Sequence, residues 1–180
     1  MKRVVVQGTS GSGKTTFSGT LAARLGVAHV ELDALHHGPN WTEASAEELC
    51  ERVSAALSGR DSWVVDGNYY GKIGDLVLRQ ADTLVWLDLP LRVCLARLWR
   101  RTSGRIRDDV ELWNGNRESW RGAFWGLESL FVWTVRTHVR RKLTWPDRFA
   151  RLEHVQLVRL CSPAEVERWL ATQAPPSAQE

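Results

Sequence analysis

Apolar residues fall along this chain in two alternating rhythms. Val4, Val5 and Val6 form a short β-branched run cut off by the glycines from Gly8 to Gly13, the pattern of a strand buried on both faces. From residue 14 to 25 the spacing lengthens, so that Phe17, Leu21 and Leu25 share one helical face and Gly26 supplies a stop. The alternation then repeats. Residues 28–32 predict a second strand ending at Asp33, Trp63-Val64-Val65 a third ending at Asp66-Gly67, residues 83–87 a fourth ending at Asp88, and residues 155–160 a fifth. Between them, Thr42 or Ser45 caps a helix to about residue 57, with Ser45 and Glu48 spaced as a capping box. A short helix is expected around residues 75–80, and Pro90 suits the first turn of one reaching about residue 101. Residues 102–115 are polar and contain Gly, as a loop does; a helical pattern follows from about 117 to 142, with Gly122 or Gly126 as a break. Ser162-Pro163-Ala164-Glu165 opens the last helix, and the Pro/Ser/Gln-rich residues 173–180 are expected to fray.

Strands alternating with helices predict an α/β fold, a parallel sheet covered on both faces. Ligands on such sheets bind beyond the carboxyl ends of the strands, which gathers Asp33, Asp66 and Asp88 on one edge with the glycine loop. The chain has 180 residues, suited to a single domain, here residues 1–172. Its 43% hydrophobic and 25% charged residues match a soluble globular protein, and no apolar run is long enough for a bilayer or a signal peptide, so a cytoplasmic location is expected. Cys50, Cys94 and Cys161 show no paired spacing; Cys94 and Cys161 have apolar neighbours and are expected to be small core residues. The net charge of +3 does not call for nucleic acid. Arginines nevertheless concentrate in residues 92–107 and 136–142, and seven of the ten tryptophans lie between Trp86 and Trp145.

One segment carries specific chemistry. Gly8-Thr9-Ser10-Gly11-Ser12-Gly13-Lys14-Thr15 matches G-x-x-x-x-G-K-[ST] in full. Chance would produce such a pattern on the order of once per hundred chains of this length, but here it also falls between a predicted strand and a predicted helix. The loop's backbone N–H groups, with Gly8, Ser10, Gly11, Ser12, Gly13 and the helix start at Lys14, Thr15 and Thr16, suit a nucleoside triphosphate. Lys14 would reach the β- and γ-phosphates and the Thr15 hydroxyl would hold Mg²⁺. An acidic residue at a strand end completes such a metal site, and spacing alone does not choose between Asp66 and Asp88.

The order of the phosphate loop, Asp33, Trp63-Val64-Val65-Asp66-Gly67-Asn68-Tyr69 and Ala81–Pro90 resembles the adenylate-kinase-like P-loop kinases. More narrowly, Leu32-Asp33-Ala34-Leu35, Trp41 and Asp66-Gly67-Asn68-Tyr69 resemble the bacterial branch labelled topology modulation protein or adenylate-kinase-related kinase. The likeness runs from Val4 to about Leu170. It implies a three-layer fold with strand order 2-3-1-4-5, ATP and Mg²⁺ as ligands, an acceptor segment over about residues 33–60 and an Arg-bearing lid over about 102–116. It also implies Asp66 for the magnesium site, leaving Asp88 to cap the helix after Pro90. Adenylate kinases continue Asp-Gly with Phe-Pro-Arg; this chain has Asn68-Tyr69-Tyr70, so the arginine that holds the AMP phosphate is missing from its usual place.

On the acceptor side, Asp33, His36 and Asn40 faintly resemble gluconate kinases, and a carboxylate at this position binds substrate hydroxyls in shikimate and nucleoside kinases. Such a group can take a hydroxyl proton during attack on the γ-phosphate. His36 and His37 read as loop surface, and Asn68, Tyr69 and Tyr70 either face the acceptor or pack beneath it. Among Arg97, Arg100, Arg101, Arg105, Arg107, Arg117 and Arg121, the four that bracket the lid (Arg101, Arg105, Arg117 and Arg121) are the first candidates to stabilise transferred charge. Trp113, Trp120, Trp125 and Trp133 recur at roughly helical spacing, which favours core or interface over base stacking. The expected activity is phosphoryl transfer to a nucleotide, nucleoside or small hydroxyl metabolite; a hydrolytic NTPase and an ATP-dependent nucleic-acid-binding regulator using Arg136, Arg140, Arg141 and Lys142 are the rivals. No N-K-x-D guanine signature is present.

Overall fold

The computed structural model describes residues 1–126 and 129–173; residues 174–180 of the expected frayed tail lie outside the described residues. Five strands, β1 (Arg3–Gly8), β2 (Ala28–Glu31), β3 (Trp63–Asp66), β4 (Thr83–Leu87) and β5 (Gln156–Leu160), form one sheet in the order β2-β3-β1-β4-β5. Every pairing is parallel, and the order is the one expected. The helices are α1 (Lys14–Leu25), α2 (Leu32–His36), α3 (Ala46–Leu57), α4 (Tyr70–Ile73), α5 (Leu91–Arg107), α6 (Trp120–Phe124), α7 (Leu130–Ala150) and α8 (Pro163–Ala171). None is long and apolar enough to cross a membrane among the described residues.

The two-residue period of a strand divides the core into two layers. Val4, Val6, Val64, Val85 and Leu87 point to one side, where Phe17 and Leu21 of α1 and Trp169 of α8 cover them. Val5, Trp63, Val65, Leu84 and Trp86 point to the other, against Leu49 and Val53 of α3 and Trp145 and Phe149 of α7. Ser45 and Glu48 form the expected capping box on α3, and Ser162 caps α8 through the Glu165 N–H.

Tertiary packing moves several element boundaries. β2 stops at Glu31, so Asp33 stands in the short helix α2, where Leu32 turns inward and is buried. The helix expected at 75–80 is instead α4, halted by Gly74 at φ 54°, and a separate 3₁₀ turn over Leu78–Gln80. α5 does not end near residue 101 but runs to Arg107, because fully buried Thr102 anchors the extension. The expected 117–142 helix divides into α6 and α7, with Gly126 at φ 91° between them. α7 continues through Pro146 to Ala150, since Trp145 and Phe149 both pack edge-on against Trp86; that burial outweighs the missing N–H of proline. Cys94 is buried as expected but Cys161 is exposed. Trp120 and Trp125 are not core residues: they are 51% and 81% exposed.

Candidate active site

The loop between β1 and α1 curls back on itself through a Ser12 N–H to Thr9 carbonyl bond. Gly11 and Gly13 adopt φ 79° and 90°, in the left-handed region that side chains rarely enter, and a Cβ on Gly11 would collide with the Cys94 carbonyl of α5. No side chain caps α1, so its first-turn N–H groups remain available to an anion. The Ser12 hydroxyl is buried there without a partner. Asn68 fixes the loop's origin, donating to the Gly8 carbonyl at 2.7 Å and accepting from its N–H at 3.3 Å. That assigns Asn68 to holding the loop rather than to an acceptor. The curled backbone, the uncapped helix and the orphaned hydroxyl together fit a chain of phosphates.

Lys14 lies at the centre of charge. Burial draws its ammonium below the usual lysine range; Asp33 and Asp66 pull it back up, and Arg141 and Arg101 push it down. Asp66, the last residue of β3, is fully buried. One of its oxygens meets His29 Nε2 at 2.8 Å, and the other has no partner. Asp88 is differently committed: Arg159 donates to it at 2.6 Å and 3.0 Å, and the Lys142 ammonium lies 3.5 Å away. It does not cap α5, whose N-cap position is Pro90. Both Asp88 oxygens are thus engaged, whereas Asp66 Oδ1 is free beside a loop that ends in the exposed Thr15. Asp66 and Thr15 offer the oxygen donors that would hold a divalent cation.

On the other side of Lys14, the Tyr69 hydroxyl donates to Asp33 Oδ1 at 2.8 Å and lies 3.5 Å from His37 Nε2. Burial and the Asp33 carboxylate hold the phenol far above its ordinary pKa, so it stays a donor. His36 and His37 are not loose loop surface: His36 is buried, its ring centroid 4.6 Å from that of Tyr69, and burial with Lys72 and His37 nearby lowers its pKa. Tyr70 turns away, under the Arg148 guanidinium at 3.5 Å. Trp113 stacks on His37 at 6.1 Å and donates its indole N–H to Glu31 at 2.9 Å.

The segment after α5 is tied to the acceptor side by hydrogen bonds. Asn116, 3% exposed, accepts from the Trp41 N–H at 2.8 Å and donates to the Gly38 carbonyl at 2.9 Å. Asn114 donates to the His37 carbonyl at 2.6 Å, and the Trp41 indole to the Arg117 carbonyl at 3.2 Å. Asn40, Trp41 and Asn114 all hold φ near +55° to +58° across this junction, a conformation costing about 1 kcal/mol or more for a bulky residue.

The candidate arginines separate. Burial and the neighbouring Arg105 lower the Arg101 pKa, while Glu118, 3.9 Å away, and then Asp33 and Glu31 raise it. Arg105 pairs with Glu118 at 3.2 Å, Arg117 pairs with Asp109 at the surface, and Arg121 lines an open aromatic groove with Trp99, Trp120, Phe124 and Trp125. Arg97 reaches the phosphate loop directly, donating to the Ser12 carbonyl at 3.1 Å. Arg141, which the sequence places in a basic run, is near enough to Lys14 to lower its pKa. Its guanidinium sits 5.3 Å from the Trp133 and Trp145 ring centroids, one of its nitrogens is buried without a partner, and burial draws its pKa down to about 10. The signal was present in the spacing. His138, Arg141, Lys142 and Trp145 share one face of α7, and His138 bonds the Thr9 hydroxyl of the phosphate loop at 3.0 Å.

The 2-3-1-4-5 parallel sheet with this loop after its central strand is the arrangement the sequence predicts. No protein-family model matches the chain. A cytidylate kinase from Halobacterium salinarum is 29% identical over 113 residues, 54% of this chain and 57% of that protein, so the chain spans a little over half of that relative's length. Among solved structures, a sugar kinase from Janibacter superposes over 100% of this chain and 99% of its own, at a TM-score of 0.54 and 19% identity. A shikimate kinase from Bacteroides thetaiotaomicron gives 0.56 at 13% identity, covering 94% of each chain. A gluconokinase from Sinorhizobium meliloti gives 0.50 at 20% identity, over 96% of this chain and 93% of its own. These likenesses are to kinases of one fold.

Proposed function

We propose that this protein is an ATP-dependent phosphotransferase acting on a hydroxyl group of a small molecule. The observation that carries the proposal is a pair of carboxylates of different commitment that both act on Lys14, Asp33 bonded by Tyr69 and Asp66 with one oxygen unpartnered. Asp33 takes the proton of the acceptor hydroxyl as its oxygen bonds to the γ-phosphorus and the bond to the β-phosphate oxygen breaks. Tyr69 occupies one Asp33 oxygen and leaves the other for that proton. Lys14, Arg101 and Arg141 stabilise charge on the transferred group. A magnesium ion held by Thr15 and the free oxygen of Asp66 would supply charge neutralisation on the β- and γ-phosphates. Arg105, Arg117 and Arg121 would serve the lid rather than the phosphates, given their present partners. The nucleic-acid reading loses support because Arg141 and Lys142 lie near Lys14 and Asp88.

The test incubates the protein with γ-labelled ATP and Mg²⁺ against a panel of nucleotides, nucleosides, sugars and sugar acids. Acceptor-dependent transfer of label, abolished by Lys14→Ala, is expected. Steady ADP release that no acceptor changes would make the protein a hydrolase, and a Lys14→Ala variant with unaltered ATP binding and turnover would remove the reading altogether.

A further inference from the structure

Resting on that phosphotransfer reading, we infer that the acceptor is an uncharged polyhydroxyl compound, a sugar or nucleoside, and that the acceptor chamber rejects molecules bearing a phosphate or carboxylate. The inference comes from counting which charges around the chamber are already spent.

Glu31, Trp113, His37, Tyr69 and Asp33 are linked in one run of contacts, and Lys14 and Arg101 both feel the Asp33 carboxylate. Glu31 and Asp33 receive neutral donors, an indole N–H and a phenol, so neither negative charge is neutralised by an ion pair. The cations bordering the chamber are engaged elsewhere. Lys72 binds Glu43 at 2.9 Å and the Ala44 carbonyl at 2.9 Å, and Arg105 binds Glu118 at 3.2 Å. His36 is held neutral by burial and by Lys72, so it adds no positive charge. Arg101 lies 3.9 Å from the same Glu118, which leaves Lys14, and Lys14 is claimed by the transferred phosphate.

An acceptor anion entering this space would lose its hydration and meet two carboxylates with, among the cations named above, no guanidinium or ammonium left to pair with. A hydroxyl-rich neutral molecule meets the opposite situation. Carboxylate oxygens accept its O–H groups, and the Trp113 and His37 rings give a sugar or base an apolar face.

The experiment uses matched pairs differing by one acidic group, cytidine with cytidine monophosphate and glucose with gluconate and glucose 6-phosphate. The full chain with Mg²⁺ and labelled ATP is assayed for kcat/KM, and the same compounds are scored for thermal stabilisation of the protein saturated with Mg·ADP. Preference for the neutral member by roughly a hundredfold is expected. Glu31→Gln keeps an oxygen for the Trp113 indole but removes one repelling charge, and should cut that preference by roughly tenfold. A merely structural role for Glu31 would alter both members equally. Preference for the acidic member overturns the inference while leaving the kinase reading intact, and so does a panel in which no neutral compound is phosphorylated or stabilises the Mg·ADP form. Acceptor-independent ATP hydrolysis, by contrast, removes the kinase reading beneath it.

Discussion

Replacing Arg141 by methionine should make the ligand-free protein more stable and the enzyme far slower. The guanidinium is held among Trp133, Trp145 and Lys14, and burial draws its pKa from 12.5 down to about 10. A difference of that size corresponds to about 3 kcal/mol against the charged form in the folded state. The side chain is only half-buried, so solvent screening leaves about half of that. Losing two cation–π contacts returns about 0.5 kcal/mol, since the methionine thioether keeps part of the aromatic contact. The net expectation is about 1 kcal/mol of added stability, a rise in Tm of roughly 2–4 °C for a domain of this size. The sign follows from linkage: a cation whose folded pKa is depressed costs stability throughout the range below about pH 10, where both states carry the charge. Calorimetry at pH 7 without nucleotide measures the gain, and initial rates with Mg·ATP measure the loss. We expect kcat to fall by roughly 10²–10³-fold. A lower Tm combined with unchanged kcat would refute the reasoning, since Arg141 would then be an ordinary packing residue.

Other outcomes follow from the same geometry. Gly11→Ala should abolish nucleotide binding by calorimetric titration, because its Cβ meets the Cys94 carbonyl and its φ of 79° is closed to alanine. Asn116→Ala leaves the Trp41 N–H and the Gly38 carbonyl without partners, and should cost about 2 kcal/mol; hydrogen exchange should accelerate together in residues 37–42 and 110–116. His36 and His138 both have lowered pKa values, so folding favours their neutral forms. Stability should therefore be fully present above the unfolded histidine pKa of about 6.5 and fall as pH drops below it. His138→Gln, which keeps a group to bond the Thr9 hydroxyl, should flatten that decline in Tm between pH 7 and pH 5.

The sheet was legible because its signals are local. Val4-Val5-Val6, Trp63-Val64-Val65 and residues 83–87 are short apolar runs next to strong punctuation, and each is a strand. The phosphate loop was legible for the same reason: its glycines carry their reason in their own dihedral angles. What the sequence hid depended on partners far away along the chain. Thr102 extends α5 only because the fold buries it, and Pro146 stays inside α7 only because Trp145 finds Trp86. Asp66 and Asp88 look alike at the ends of their strands; Arg159 and Lys142, over fifty residues from Asp88, remove it from the metal site. Arg141 sits in a basic run in the sequence, and only the helical face it shares with His138 and Trp145 separates it from its neighbours. Glu31, whose role depends on the Trp113 indole, left no sequence signal.

The hydrogen bonds of Asn114, Asn116 and the Trp41 indole carry a kinetic consequence. They fasten the segment that would cover the triphosphate to the segment that would cover the acceptor. Parting the two must break these bonds whichever compartment is being opened, so the doors to both substrates share one barrier. Loosening the junction at Asn116 should then shift the apparent KM for ATP and for acceptor in the same direction. It should also shorten the time each product is retained and let the two products leave independently.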